Sequence, residues 1–266
     1  MHLTKEQNQH LDNLISNLLY FFSNSSKKIT TNDLFNKIWE IVYHQILISG
    51  SDQDIALKEI ATTLYGPYQL NIRELLLLKI VDIFRKNNII YTPNIIAKDG
   101  AILNQIKLSS EPAIFVSTHN GFAHNIKLLT YLGRKVTTIG LPSYTNLALN
   151  RSGIASNVNI VNQDSYCLAY IKKDIANGAL ISSTVDFKLG NESFKYISPA
   201  LFDFSKRINA ALYFSRSEVL ADGKVELHFQ LSSNSALPEE SANQFIQYCA
   251  TSLSQKSLVV KDFQRA

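Results

Sequence analysis

The feature that most constrains the fold is a change of hydrophobic period near residue 90. Before it, apolar residues recur at three- and four-residue spacing, as an amphipathic helix requires: Leu11, Leu14, Ile15, Leu18, Leu19 and Phe22 form one stripe. Ser23-Asn24-Ser25-Ser26 breaks that stripe, and Thr31-Asn32-Asp33 offers an N-cap ahead of Leu34, Phe35, Ile38, Trp39, Ile41 and Val42. A polar gap follows at Ser49-Gly50-Ser51-Asp52. Leu75 to Phe84 is then apolar enough to expect burial on two sides. Three or four helices are expected up to about residue 90.

After Asn88-Ile89-Ile90-Tyr91-Thr92-Pro93, short β-rich runs alternate with helical ones. Strands are expected at Ala113–Ser117, Lys135–Ile139, Val158–Val161, Ala179–Ser183, Ile208–Phe214 and Lys224–Phe229, the last with the period-two pattern of a half-exposed strand. Helices are expected at Gly121–Tyr131, Tyr166–Ala176 and Ser241–Leu253. Such alternation implies an α/β fold: a mixed, mostly parallel sheet flanked by helices. The expected organisation is an N-terminal helical layer, residues 1–90, packed on an α/β core, residues 91–266, as one integrated domain.

Composition narrows the function classes. With 45% hydrophobic residues, 10 Gly and 6 Pro in 266, the chain is neither disordered nor low-complexity. Cys167 and Cys249 match no disulfide framework, zinc motif or redox motif. No apolar run is long enough for a transmembrane helix, and the first residues lead into no signal-peptide core, so a soluble, cytoplasmic protein is expected. A net charge of +4, from 26 basic against 22 acidic residues, is mild, and the basic residues are scattered. A nucleic-acid partner is not expected.

The chemistry concentrates in Val116-Ser117-Thr118-His119-Asn120-Gly121-Phe122-Ala123-His124-Asn125, where a strand ends and a helix begins. In open α/β sheets that is where ligands bind. A histidine there can act as a general base near neutral pH, and the helix N-terminus offers unpaired N–H groups. The competing reading is a hydrogen-bonded structural histidine. Metal ligation by His119 and His124 is disfavoured, because five residues apart do not share a helix face and no Cys or carboxylate lies in the segment.

Ile114-Phe115-Val116-Ser117-Thr118-His119 followed by a helix resembles the opening of the lysophospholipid acyltransferase superfamily, and within it the bacterial lipid A biosynthesis (lauroyl/myristoyl) acyltransferases. Downstream, Ile175 to Asp186 is similar to the family's helix–Gly–strand segment ending at an acidic residue. Phe194 to Ala200 and the helix to Arg207 look like its next loop and helix, and Asn209–Phe214 and Lys224–Phe229 like its following strands. The resemblance spans roughly residues 90 to 266, carried by order and spacing.

What the resemblance implies is acyl transfer from a thioester, the phosphopantetheine of an acyl carrier protein or CoA, to a hydroxyl or amine, with no bound cofactor or metal. The acceptor would be a small molecule or one tethered to a carrier. In the family a His-x4-Asp/Glu pair supplies the base and its orienting acid. His119 matches the base, but His124 stands at the acid's position. Either His124 orients His119 through a neutral hydrogen bond, or Asp186 fills the role from its own strand end, or acyl transfer has been lost. For Asp186 a strand-end turn or helix cap is the alternative. Oxyanion donors are sought at Asn120-Gly121, Ser183 or Lys188. Arg134 and Arg151 are candidates for a phosphate of the pantetheine arm, with surface solvation as the other reading. The N-terminal helices lack the membrane span usual in the lipid A branch, which favours a soluble acceptor; contact of the first helix with a membrane surface is the alternative to its packing on the core. Two rivals remain: a catalytically silent relative that binds an acyl chain or carrier protein, and a thioester hydrolase or condensing enzyme. A Gly-x-Ser-x-Gly elbow is absent.

Overall fold

The computed structural model describes residues 4–24, 29–48, 69–119, 122–151, 158–187, 195–233, 237–250 and 258–260. The chain divides into two compact units: residues 1–94 with 219–225, and residues 95–218 with 226–266.

The first unit holds α1 (Lys5–Ser23), α2 (Thr31–Ile48) and α3 (Gln69–Lys86). Helix α1 opens on a capping box in which the Gln7 N–H donates to Thr4 Oγ1 and the Thr4 N–H to Gln7 Oε1. Helix α2 is capped one residue earlier than its sequence suggests. Thr30, not the Thr31-Asn32-Asp33 run, accepts the Asp33 N–H at 3.1 Å, and its hydroxyl donates to the Asp33 carboxylate at 2.6 Å. The stripes meet in a core that includes Leu11, Ile15, Ile38, Val42, Leu76 and Ile80, all buried. Phe35 stacks on Tyr91 with ring centroids 4.0 Å apart, and the Trp39 indole N–H donates to the Ala221 carbonyl at 2.8 Å. Gly223, at φ +78°, lies under this aromatic group: a Cβ there would sit 2.9 Å from Phe35 and 3.0 Å from Trp39.

The second unit is α/β. In chain order it runs β1 (Ile95–Ala97), α4 (Gly100–Leu108), β2 (Ala113–Ser117), α5 (Phe122–Thr130), β3 (Val136–Ile139), α6 (Pro142–Arg151), β4 (Val158–Val161), α7 (Cys167–Ala176), β5 (Leu180–Thr184), β6 (Asp186–Phe187), β7 (Lys195–Ile197), α8 (Ala200–Arg207), β8 (Ala211–Val219), β9 (Val225–Leu231), α9 (Pro238–Ala250) and β10 (Leu258–Val260). Seven strands form a mixed, mostly parallel sheet in the order β1-β9-β8-β2-β5-β3-β4, and β10-β7-β6 form a small second sheet. Strand β2 lies at the centre, parallel to β5 and β8. Its continuous apolar run follows from burial on both faces. Ile114 and Val116 enter a core with Ile171, Phe202 and Phe245, while Ala113 and Phe115 enter another with Leu103, Ile126 and Leu149.

Strand β8 begins at Ala211, three residues later than the sequence suggests, because Asn209 adopts φ +53° and ends helix α8. Helix α9 starts at Pro238, earlier than Ser241, as suits a proline in the first turn. Short elements, β1, α4, α6, β6, β7 and β10, give too little periodic signal to read from sequence.

Candidate active site

The parallel register of β2 and β5 builds the site. Ser117 lies opposite Thr184, and the Val185 N–H donates to the Ser117 carbonyl at 3.0 Å, extending the ladder past the strand ends. Two residues beyond Ser117 is His119; two beyond Thr184 is Asp186. They meet there. The His119 ring Nδ1 lies 2.7 Å from Asp186 Oδ1, and the His119 backbone N–H donates to the same oxygen at 2.7 Å. The carboxylate therefore fixes both the backbone and the ring of one residue.

That contact sets the tautomer. A carboxylate accepts, so Nδ1 carries the proton and Nε2 presents a lone pair. The Asp186 side chain is fully buried whereas that of His119 is 61% exposed, so the imidazole reaches solvent while the carboxylate does not. Helix α5 starts at Phe122, just beyond His119, and brings the positive end of its dipole to the same edge.

A cleft of about 750 Å³ opens beside the pair. Its walls include Phe122, Ile139, Leu168, Val185 and Leu201, and Thr145, Gln163, Ser183, Thr184 and Ser198 add polar groups. The size and the apolar share of the lining suit an extended, largely apolar ligand with polar anchors along it. Cys167 also faces the cleft, but burial pushes its thiol pKa up, with Asp164 adding to the rise against a Leu168 backbone hydrogen bond. It is no activated nucleophile.

Ser183 lines the cleft, and its hydroxyl donates a long 3.3 Å bond to the Thr184 carbonyl. Asn120, Gly121 and Lys188 lie outside the described residues, and Arg151 ends helix α6.

His124 and Arg134 are placed differently from their sequence reading. The His124 ring does not meet His119: its Nδ1 is enclosed without a hydrogen-bond partner among the described residues. Burial, with Lys127 adding, lowers its pKa to about 4. The side chain in contact with the His119 ring is that of Asp186. Arg134 donates to the carbonyls of Gly178, Ile106, Ser109 and Glu111, at the strand end opposite His119. Its guanidinium ties α4 to the β5 approach and does not line the cleft. Sequence reasoning also missed Asn125, whose amide donates to the buried Ser182 hydroxyl at 3.0 Å and anchors α5 to β5.

Among the described residues, no helix is long and apolar enough to cross a membrane. No protein-family model matches the chain, and no curated protein sequence matches it.

Proposed function

We propose that the protein is an acyltransferase that moves an acyl group from a thioester, of an acyl carrier protein or CoA, to a hydroxyl or amine, with His119 as general base. The observation that carries this reading is the His119–Asp186 pair at the mouth of a largely apolar cleft. The resemblance in strand, motif and helix order over residues 90 to 266 supports the same chemistry.

In this reading the acyl chain lies in the cleft and its thioester carbonyl sits near Nε2. The acceptor O–H or N–H gives its proton to Nε2 as the oxygen or nitrogen attacks the carbonyl carbon. Buried Asp186 stabilises the imidazolium that forms. The carbonyl electrons move to oxygen, where the Ser183 hydroxyl and the α5 N-terminus favour the negative charge. Collapse of the tetrahedral intermediate re-forms the carbonyl and expels the thiolate, which takes the proton back from His119. No enzyme-bound acyl group is required, in keeping with the protonated Cys167. The donors belong to the cytoplasm, so the reaction does too.

The exposure of His119 favours one second reading, thioester hydrolysis, in which water replaces the acceptor. Incubation with acyl-CoA or acyl-loaded carrier protein, with and without hydroxyl and amine acceptors, separates the two by mass spectrometry. Acylated acceptor supports transfer; free acid alone supports hydrolysis. If the donor stays intact under all conditions, the protein is a silent relative that binds rather than reacts.

A further inference from the structure

The hairpin β8–β9 carries a cluster of side chains that the cleft does not use. The Ser232 N–H donates to the Leu212 carbonyl at 2.8 Å and the Leu220 N–H to the Lys224 carbonyl at 2.8 Å. Both bonds give one antiparallel register, with Glu218 opposite Glu226 and Arg216 opposite His228. Glu226 and His228, two apart on one strand, share a face. Two carboxylates therefore stand side by side with an imidazole next to them. Like charges directly opposite each other on a sheet are destabilising.

His228 is only 6% exposed, and its Nε2 is enclosed without a hydrogen-bond partner among the described residues. That nitrogen lies 3.0 Å from Glu226 Oε1 and 3.7 Å from Glu218 Oε2. One donor atom from each of the three residues falls within 4.8 Å of the others. Among the described residues, neither glutamate forms an ion pair with a lysine or arginine. Arg216 faces the ring from β8, but its guanidinium carbon stands over the Tyr248 ring, 5.3 Å from the centroid. Arg216 and Lys98 are the cations, and Glu226 and Glu218 the anions, that act on the ring electrostatically.

We propose that Glu218, Glu226 and His228 bind a divalent transition-metal ion of the Zn²⁺ class. One imidazole nitrogen and two carboxylates make a set that suits zinc, with a remaining position for water. Bonds of about 2.0–2.2 Å at tetrahedral or octahedral angles put ligand atoms roughly 3.0–3.5 Å apart. The 3.0 Å spacing already meets this, and the 3.7 Å spacing needs a movement of a few tenths of an ångström by Glu218, whose side chain is 29% exposed. The ion would neutralise the paired carboxylates and satisfy the buried nitrogen in one step. None of the three residues lines the cleft, so the ion clamps β8 to β9 and takes no part in acyl transfer.

The test is a Zn²⁺ titration of the chelator-stripped full chain against a competing chromophoric chelator, with thermal unfolding as a second readout. One ion per chain is expected, with a rise in Tm. Glu218→Gln and Glu226→Gln, near-isosteric and at partly exposed positions, should each weaken binding by tenfold to a hundredfold or more. His119→Ala should bind as the parent does. Absence of stoichiometric binding would overturn the assignment. So would binding that both glutamine variants keep, or binding that only His119→Ala loses.

Discussion

Replacing Asp186 by Asn tests the pair at the heart of the site with almost no change of shape. Asp186 Oδ1 takes two hydrogen bonds from residue 119, at 2.7 Å each. An amide oxygen can keep the backbone bond, so the strand ends should stay together and the fold should survive. What goes is the negative charge beside the imidazolium formed during attack. At a mean charge separation of roughly 4 Å, that attraction is about 1 kcal/mol in water and about 4 kcal/mol at an effective dielectric of 20. Asp186 is fully buried but His119 is 61% exposed, so the value falls between these limits. A loss of roughly 2–3 kcal/mol corresponds to a drop of about 30- to 150-fold in kcat/KM. Should the amide turn its NH2 toward Nδ1, the proton moves to Nε2 and the drop grows further. The assay is single-turnover acyl transfer, with circular dichroism to confirm folding. A folded Asp186→Asn variant within threefold of the parent would refute the role assigned to Asp186.

Four other outcomes are expected. His124→Ala should leave turnover within a few-fold of the parent, and His124→Asp should not raise it, since Asp186 already holds the ring of His119. His124 should also make stability depend on pH. Its folded pKa is lowered to about 4, so the unfolded chain binds more protons between there and about 6.5, and stability is lost as pH falls through that window. The loss is at most about 3 kcal/mol, less the share returned by partial exposure, and denaturant unfolding of His124→Gln should show a flatter pH dependence. Gly223→Ala should cost about 2 kcal/mol in the same assay, because the added methyl meets Phe35 and Trp39 at a positive φ. Arg134→Ala should lower stability by about 2–3 kcal/mol through four unsatisfied carbonyls while leaving the KM for a pantetheine donor unchanged; a selective rise in KM would return Arg134 to the phosphate.

The α/β architecture was legible because short β-rich runs alternate with periodic helical ones along the second half of the chain. Ala113–Ser117 was read with its exact bounds, and the strand read at Ala179–Ser183 lies one residue later, at Leu180–Thr184. The pairing of His119 with Asp186 was only half legible. Each could be placed at a strand end, but their meeting depends on the register that sets Ser117 opposite Thr184, which no local pattern encodes. Spacing to His124 pointed elsewhere, because a residue five positions on lies in the next helix and its ring turns into the protein. The excursion of residues 219–225 into the helical unit was invisible for a similar reason: a turn with Asp222 and Gly223 reads as an ordinary hairpin end. Glu226-x-His228 shares a strand face in plain sight, yet Glu218 joins it only through the hairpin register.

The central claim, His119-dependent acyl transfer, is tested most directly by comparing the parent with His119→Ala on a panel of acyl-CoA and acyl-carrier-protein donors with hydroxyl and amine acceptors. Free thiol is followed together with the mass of the acceptor. The parent should release thiol and acylate an acceptor in equal amounts. His119→Ala, folded by circular dichroism, should do neither above background. Equal transfer by both proteins, or a parent that leaves every donor intact, would contradict the assignment.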